Sequence, residues 1–158
     1  NTSELSKKVL AEKADIGFAF DGDGDRLIAV DEKGHEIDGD NLIALLAKDL
    51  IKSKKLNKKT IVSTVMSNLG FEIYLKNKLG ITLIRKDVGD KNVISEMQKN
   101  NYNLGGEQSG HIIIGQYTST GDGILAALKI LEILSNQNFK ANKLFNLYKK
   151  FPQIKKKY

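Results

Sequence analysis

Thr60-Ile-Val-Ser-Thr-Val-Met-Ser-Asn-Leu-Gly-Phe-Glu-Ile-Tyr-Leu-Lys-Asn-Lys-Leu-Gly-Ile-Thr-Leu-Ile84 holds one strand, one helix and a second strand. Thr60–Val65 is rich in β-branched residues, which suit a pleated, buried strand. The pattern predicts a helix over Asn68–Leu79, with Asn68 able to cap its start and Gly80 placed as its stop. Ile81–Ile84 is again strand-like. On the N-terminal side, Asp38-Gly39-Asp40 supplies N-cap candidates for a helix carrying Leu42, Ile43, Leu45, Leu46, Leu50 and Ile51. On the C-terminal side, Asp90 is positioned to cap a helix through Lys99, and Asn103–Ile114 reads as a Gly-rich loop followed by a short strand. Gly121–Leu134 predicts a helix, with Ile124, Leu125, Leu128, Leu131 and Ile133 at helical spacing. Lys140–Lys150 reads as a last helix, ended by Pro152. Strands alternating with helices make this an α/β chain with a mostly parallel or mixed sheet and flanking helices.

The first thirty residues break the alternation. Leu5, Val9 and Leu10 form a short amphipathic pattern through Lys13, the end of a helix. Asp15–Phe20 reads as a buried strand, Leu27–Val30 as a second, and Glu32-Lys33-Gly34 as a hairpin turn. A short acid-rich hairpin therefore precedes the regular alternation, with a boundary near Asp31 and a linker near Phe151-Pro152.

Composition excludes several classes. The 158 residues hold 25 Lys+Arg, 19 Asp+Glu, no Cys and 41 % hydrophobic residues. That is a folded chain with enough length to bury roughly 70 % of its unfolded surface. Without cysteine there is no disulfide, Cys-ligated zinc or thiol nucleophile. No apolar run approaches the ~18 residues of a membrane span, and no secretory signal opens the chain, so a cytoplasmic location is expected. The chain starts at Asn1 without Met and reads as a piece of something longer. Charge is uneven: Asp15–Asp40 sums to −7, Lys48–Lys59 to +5 and Phe139–Tyr158 to +7. Only two of the 25 cations are Arg, and no aromatic-interleaved basic motif appears. These are solvated faces, and neither nucleic acid nor membrane is an expected partner.

Chemistry concentrates in Asp21-Gly-Asp-Gly-Asp-Arg26. In a straight strand alternate carboxylates stand about 6.6 Å apart, too far for three to reach one ion at ~2.1–2.5 Å. Gly22 and Gly24 can adopt positive φ and curl the chain until the carboxylates gather. Crowded anions call for a hard cation, Mg²⁺ or Ca²⁺, and sites left open for water or phosphate are characteristic of Mg²⁺. A solvated acidic turn is the plain alternative. An EF-hand is a third reading, with Asp21, Asp23 and Asp25 at positions 1, 3 and 5 and Glu32 at 12. Arg26 occupies its position 6, where Gly is needed, and rejects it. Gly105-Gly-Glu-Gln-Ser-Gly-His111 is the second constellation, in which Glu107 and Ser109 lie two apart and can face a hydroxylated ligand. A turn remains the plain reading there, and a structural role remains the plain one for His111. In Thr118–Gly123, Asp122 reads as a helix cap. Asp87–Lys91 mixes turn chemistry with a phosphate-contacting candidate, Lys91.

Taken together, Asp21–Arg26, Gly106-Glu-Gln-Ser-Gly-His111, Thr60–Gly70, Val88-Gly-Asp90 and Thr120-Gly-Asp-Gly123 resemble, in that order, the motifs of the α-D-phosphohexomutase superfamily. The Gln108–Ile113 form of the sugar loop resembles its phosphoglucosamine mutase branch. The resemblance implies a magnesium loop made by Asp21, Asp23 and Asp25, substrate contacts from Glu107 and Ser109, and catalytic roles for Arg26, Lys91 and His111. It implies an intramolecular phosphotransferase acting on a phosphorylated hexosamine, through a phosphoserine and a bisphosphate intermediate. It divides the chain into 1–30, the end of a second domain; 31–148, a third; and 149–158, a connector. The remaining domains of the same chain would be its partners, and the segment alone would be inactive. A phosphoglucomutase/phosphomannomutase of the same superfamily, or a non-catalytic divalent-metal module, are the alternatives.

Overall fold

The computed structural model describes residues 2–138 and 140–154. An amphipathic helix, α1 (Thr2–Glu12), buries Val9 against an antiparallel sheet of β1 (Ile16–Phe20), β2 (Leu27–Asp31) and β3 (Glu36–Ile37), ordered β1-β2-β3. β2 is the buried centre of this sheet. β1, expected to be buried, is half-exposed because it is an edge strand, paired along one side only, with β2. The Asp31 carboxylate closes the turn before β3 by accepting the Lys33 and His35 N–H groups at 2.9 Å each.

Asp38 caps α2 (Gly39–Lys52) by accepting the Asn41 N–H at 3.1 Å. This helix is buried from Gly39 to Ala47, as its run of apolar residues demands. A short 3₁₀ turn (Asn57–Lys59) leads into β4 (Thr60–Thr64), every residue of which is buried. Asn68 caps α3 (Leu69–Tyr74), whose continuation over Leu75–Leu79 widens into a π-turn before Gly80 ends it in the left-handed region. Next come β5 (Thr82–Lys86), α4 (Asp90–Asn100), β6 (Leu104–Gly106), β7 (Ile112–Ile114), α5 (Gly123–Ser135) and α6 (Ala141–Phe145). The second sheet is ordered β5-β4-β6-β7, with β4 parallel to β5 and β6, and β7 antiparallel to β6.

The fold class is as predicted: α/β, a mixed sheet with flanking helices, behind a hairpin. Alternation along β4 explains the layers. Ile61 joins the large core with Leu42, Phe71, Leu75 and Ile130, while Val62 points the other way to Val93 and Met97 of α4. Each such fully buried side chain contributes about 1.5–3 kcal/mol.

Several local expectations are corrected. Gly89, at φ 130, occupies the N-cap of α4, and Asp90 lies in its first turn. The Gly-rich segment is partly strand, because β6 pairs with both β4 and β7. α6 spans five residues only, and the chain then runs on without regular structure well before Pro152. In α5 the core face is Ala126, Ala127, Ile130 and Ile133, whereas Ile124, Leu128 and Leu131 point outward at 59 %, 58 % and 41 % exposure. Helical spacing locates a helix but does not say which stripe finds a neighbour. No described helix is long and apolar enough to cross a membrane.

Candidate active site

Phe20 pairs with Leu27, so Asp21–Arg26 is the tip of the β1–β2 hairpin. The chain doubles back through Gly24 at φ +75, with the Gly24 N–H bonded to the Asp21 carbonyl at 3.2 Å. Gly22, expected to share this task, does not take positive φ. One bent glycine suffices: a carboxylate oxygen from each of Asp21, Asp23 and Asp25 lies within 4.8 Å of the others. The donor set is all oxygen and anionic, which suits a small hard cation such as Mg²⁺.

The loop is held from behind by two distant motifs. Arg26 forms a β-bridge with His111, and the Leu27 N–H donates to the Gly110 carbonyl at 3.0 Å. At the start of α5, the Gly123 N–H donates to the Gly24 carbonyl at 2.9 Å. His111 is 2 % exposed, with Nδ1 3.0 Å from Asp25 Oδ2, and its Nε2 is buried with no hydrogen-bond partner among the described residues. To an ionised Asp25, only Nδ1–H can be the donor. Gly121 makes room for this ring, since a Cβ there would stand 2.4 Å from it. Asp122 caps α5 by accepting the Leu125 N–H at 2.8 Å, as expected.

The electrostatics follow from this crowding. Asp25 is pushed above the usual carboxylate range by burial first, then by the adjoining Asp21 and Asp23, against the pull of His111. Desolvation acts the same way on Asp21, but hydrogen bonds from the Arg26 N–H and from Asp25, with the Arg26 charge, bring it below that range. The Arg26 guanidinium stands 3.7 Å from Asp21 and is about half exposed.

Glu107, Ser109 and Lys91 lie along the connected loops. Glu107 is buried, and its Oε1 accepts the Gly89 N–H at 3.2 Å, tying the sugar-loop candidate to the turn that opens α4. Ser109 is exposed at the tip of a turn closed by the Gly110 N–H and Glu107 carbonyl at 3.0 Å. Lys91 is exposed in the first turn of α4, two residues beyond Gly89. Backbone bonds thus link the acid loop to the Gly-rich loop, and Glu107 links that loop to the Lys91 turn.

Sequence reasoning missed a second carboxylate centre. Asp40, taken as a capping candidate, is fully buried and accepts Ser67 Oγ–H at 2.9 Å and the Asn68 N–H at 2.7 Å. Gln108 Nε2 lies 3.4 Å from the same carboxylate. Burial raises its pKa to about 6, with Asp38 adding to the rise and the two donors and Lys150 opposing it. The only local signal was an acid directly preceding an apolar helical run.

Comparison with known proteins agrees with this architecture. The family model described as "Phosphoglucomutase/phosphomannomutase, alpha/beta/alpha domain III" matches residues 38–151. The chain is similar to phosphoglucosamine mutase of Zymomonas mobilis subsp. mobilis, with 51 % identity over 154 residues, 98 % of this chain and 34 % of that protein. It is similar to the enzyme of that name from Staphylococcus haemolyticus, with 50 % identity over 149 residues, 94 % of this chain and 33 % of that one. The chain spans about a third of the length of the curated relatives it matches. Among solved structures, a phosphoglucomutase/phosphomannomutase family protein from Burkholderia thailandensis superposes with a TM-score of 0.84 at 28 % identity, over 93 % of this chain and 32 % of that one. Aspergillus fumigatus N-acetylphosphoglucosamine mutase, solved with GlcNAc-6P and magnesium, shares the fold at a TM-score of 0.68 and 21 % identity, over 85 % of this chain and 36 % of that one. By the match over most of its length, this chain belongs to the phosphoglucomutase/phosphomannomutase family, as an α/β/α third domain with the hairpin before it.

Proposed function

We propose that this chain is the metal- and sugar-binding part of a phosphoglucosamine mutase, an isomerase that interconverts glucosamine 6-phosphate and glucosamine 1-phosphate. The observation that carries the proposal is the backbone join between the acid loop and the Gly-rich loop at Arg26 and His111. It joins a cluster of three carboxylates to the loop of Glu107 and Ser109, which supports a reading in which cation and sugar hydroxyls are held side by side. Asp21, Asp23 and Asp25 would hold Mg²⁺, which would offset negative charge on the phosphoryl group in transfer. The relative solved with magnesium supports that choice of ion.

In this reading a phosphoserine elsewhere in the polypeptide donates and recovers the phosphoryl group. A P–O bond to the sugar oxygen forms as the serine P–O bond breaks, giving a bisphosphate that reorients before the reverse step. Arg26, at the edge of the acid loop, stabilises the group in transfer. Glu107 and Ser109 hold sugar hydroxyls, so that either end can be presented to the phosphoserine. Lys91 contacts phosphate as a point charge. His111 keeps Asp25 in place. Residues 1–30 close a second domain, 31–148 form the third and 149–158 lead to a fourth, in a cytoplasmic enzyme of amino-sugar and cell-wall precursor metabolism.

The test compares this chain with the full-length polypeptide that carries it. The 158-residue chain should show no turnover of glucosamine 6-phosphate, and the full-length enzyme should prefer glucosamine phosphate to glucose or mannose phosphate in kcat/KM. Turnover by the short chain overturns the fragment assignment, and preference for an unaminated sugar overturns the substrate.

A further inference from the structure

Phe151-Pro152-Gln153 plays no part in the chemistry above, yet the Phe151 backbone and the Gln153 side chain are tied down. The Asn68 side chain clamps Phe151 as a strand partner would, with Nδ2 donating to the Phe151 carbonyl at 2.8 Å and Oδ1 accepting the Phe151 N–H at 3.0 Å. The same Oδ1 accepts the Gly70 N–H at 2.9 Å, so one amide caps α3 and grips the chain after α6. Gly70 lets that chain pass, because a Cβ there would stand 2.1 Å from the Lys149 carbonyl oxygen. Gln153 finishes the clamp. Its Nε2 donates to the Met66 carbonyl at 2.9 Å, and its Oε1 accepts from Asn68 Nδ2 and Gln108 Nε2, both at 3.1 Å. Gln108 lies between Glu107 and Ser109. Its amide turns away from solvent-facing Ser109 and spans Gln153 and Asp40.

We infer that Gln108, Asn68 and Gln153 form a latch through which the segment after α6 positions the Glu107–Gly110 loop. Gln108 and Gln153 are positioning residues. Any force that moves Gln153 removes an acceptor from Gln108 and loosens the turn that presents Glu107 and Ser109. The sense of "sugar loop" rests on the proposed function, but the mechanical coupling does not.

Amide hydrogen exchange on this chain, without substrate, tests the coupling. Gln153→Ala should speed exchange at Gly39 and Gly110, whose N–H groups bond to the Gln108 and Glu107 carbonyls, by about threefold to tenfold, as loss of one or two hydrogen bonds allows. Gln108→Ala should do the same, and the double variant should add little to either. Faster exchange confined to residues after Lys149, or additive effects in the double variant, would overturn the latch. In the full-length enzyme, Gln153→Ala should raise KM for the phosphosugar severalfold with kcat nearly unchanged; the reverse split would also overturn it. Failure of that enzyme to turn over glucosamine phosphate counts against the proposed function, while the exchange result still decides the latch.

Discussion

Two carboxylate centres, one at the β1–β2 hairpin tip and one in the first turn of α2, are built in opposite ways. Asp21, Asp23 and Asp25 are crowded at a hairpin tip, partly or fully open to solvent, and short of donors. Asp40 is alone, fully buried, and supplied with a hydroxyl and a backbone N–H by the β4–α3 loop. The first arrangement leaves negative charge for something outside the protein to neutralise. The second meets each oxygen with an internal donor, though burial still favours its neutral form, and so holds loops in place. Donor supply, more than the presence of Asp, separates a binding carboxylate from a structural one.

The largest effect should come from breaking the buried centre. Asp40→Ala strands the Ser67 hydroxyl and the Asn68 N–H in the interior, and urea denaturation near pH 4, where Asp40 is protonated, should show a loss of about 2–5 kcal/mol. The pH dependence of stability sharpens the same point. Asp40 titrates near 6 in the folded chain, above its ordinary 3.8, so folding favours its protonated form. That contribution is fully present below about pH 4 and is lost as pH rises through 6, by about 3 kcal/mol if Asp40 acted alone. Asp38 and Lys150 face it and shift it in opposite senses. Denaturation midpoints between pH 4 and 7 should show this loss in wild type, and Asp40→Ala should lack it.

At the open centre the expected effects are smaller on stability and larger on binding. Gly121→Ala drives a methyl into the His111 ring and should cost about 1–3 kcal/mol by overpacking. It should also weaken Mg²⁺ binding as Asp25 loses its partner. Asp23→Asn should leave the urea midpoint unchanged or slightly raised, since it removes a repelling charge, while calorimetry should show about tenfold weaker Mg²⁺ binding. A large stability loss in Asp23→Asn would erase the distinction between the two centres.

Much of this was legible locally. Asp21–Arg26 stands out because three acids separated by glycines crowd negative charge at a turn, and the β4–α3–β5 unit follows from branched residues, a capping Asn and a stop Gly. Asp122 as a cap was legible for the same reason. What escaped was each residue whose role depends on a distant partner. The π-turn after Tyr74, the outward stripe of α5 and the shortness of α6 depend on which neighbours arrive. Gln153 and Asn68 are 85 positions apart and meet only in the fold.

The order of amino acids alone therefore determined the alternating α/β architecture and the two chemically loaded loops, because turn geometry, capping and charge crowding act over a few bonds. Only the tertiary structure decided that His111 braces Asp25 from 86 residues away, that Asp40 is buried, and that Gln108 is held by the segment after α6. Desolvation and hydrogen-bond partnership are properties of a surrounding volume, and that volume is filled by segments remote in the chain.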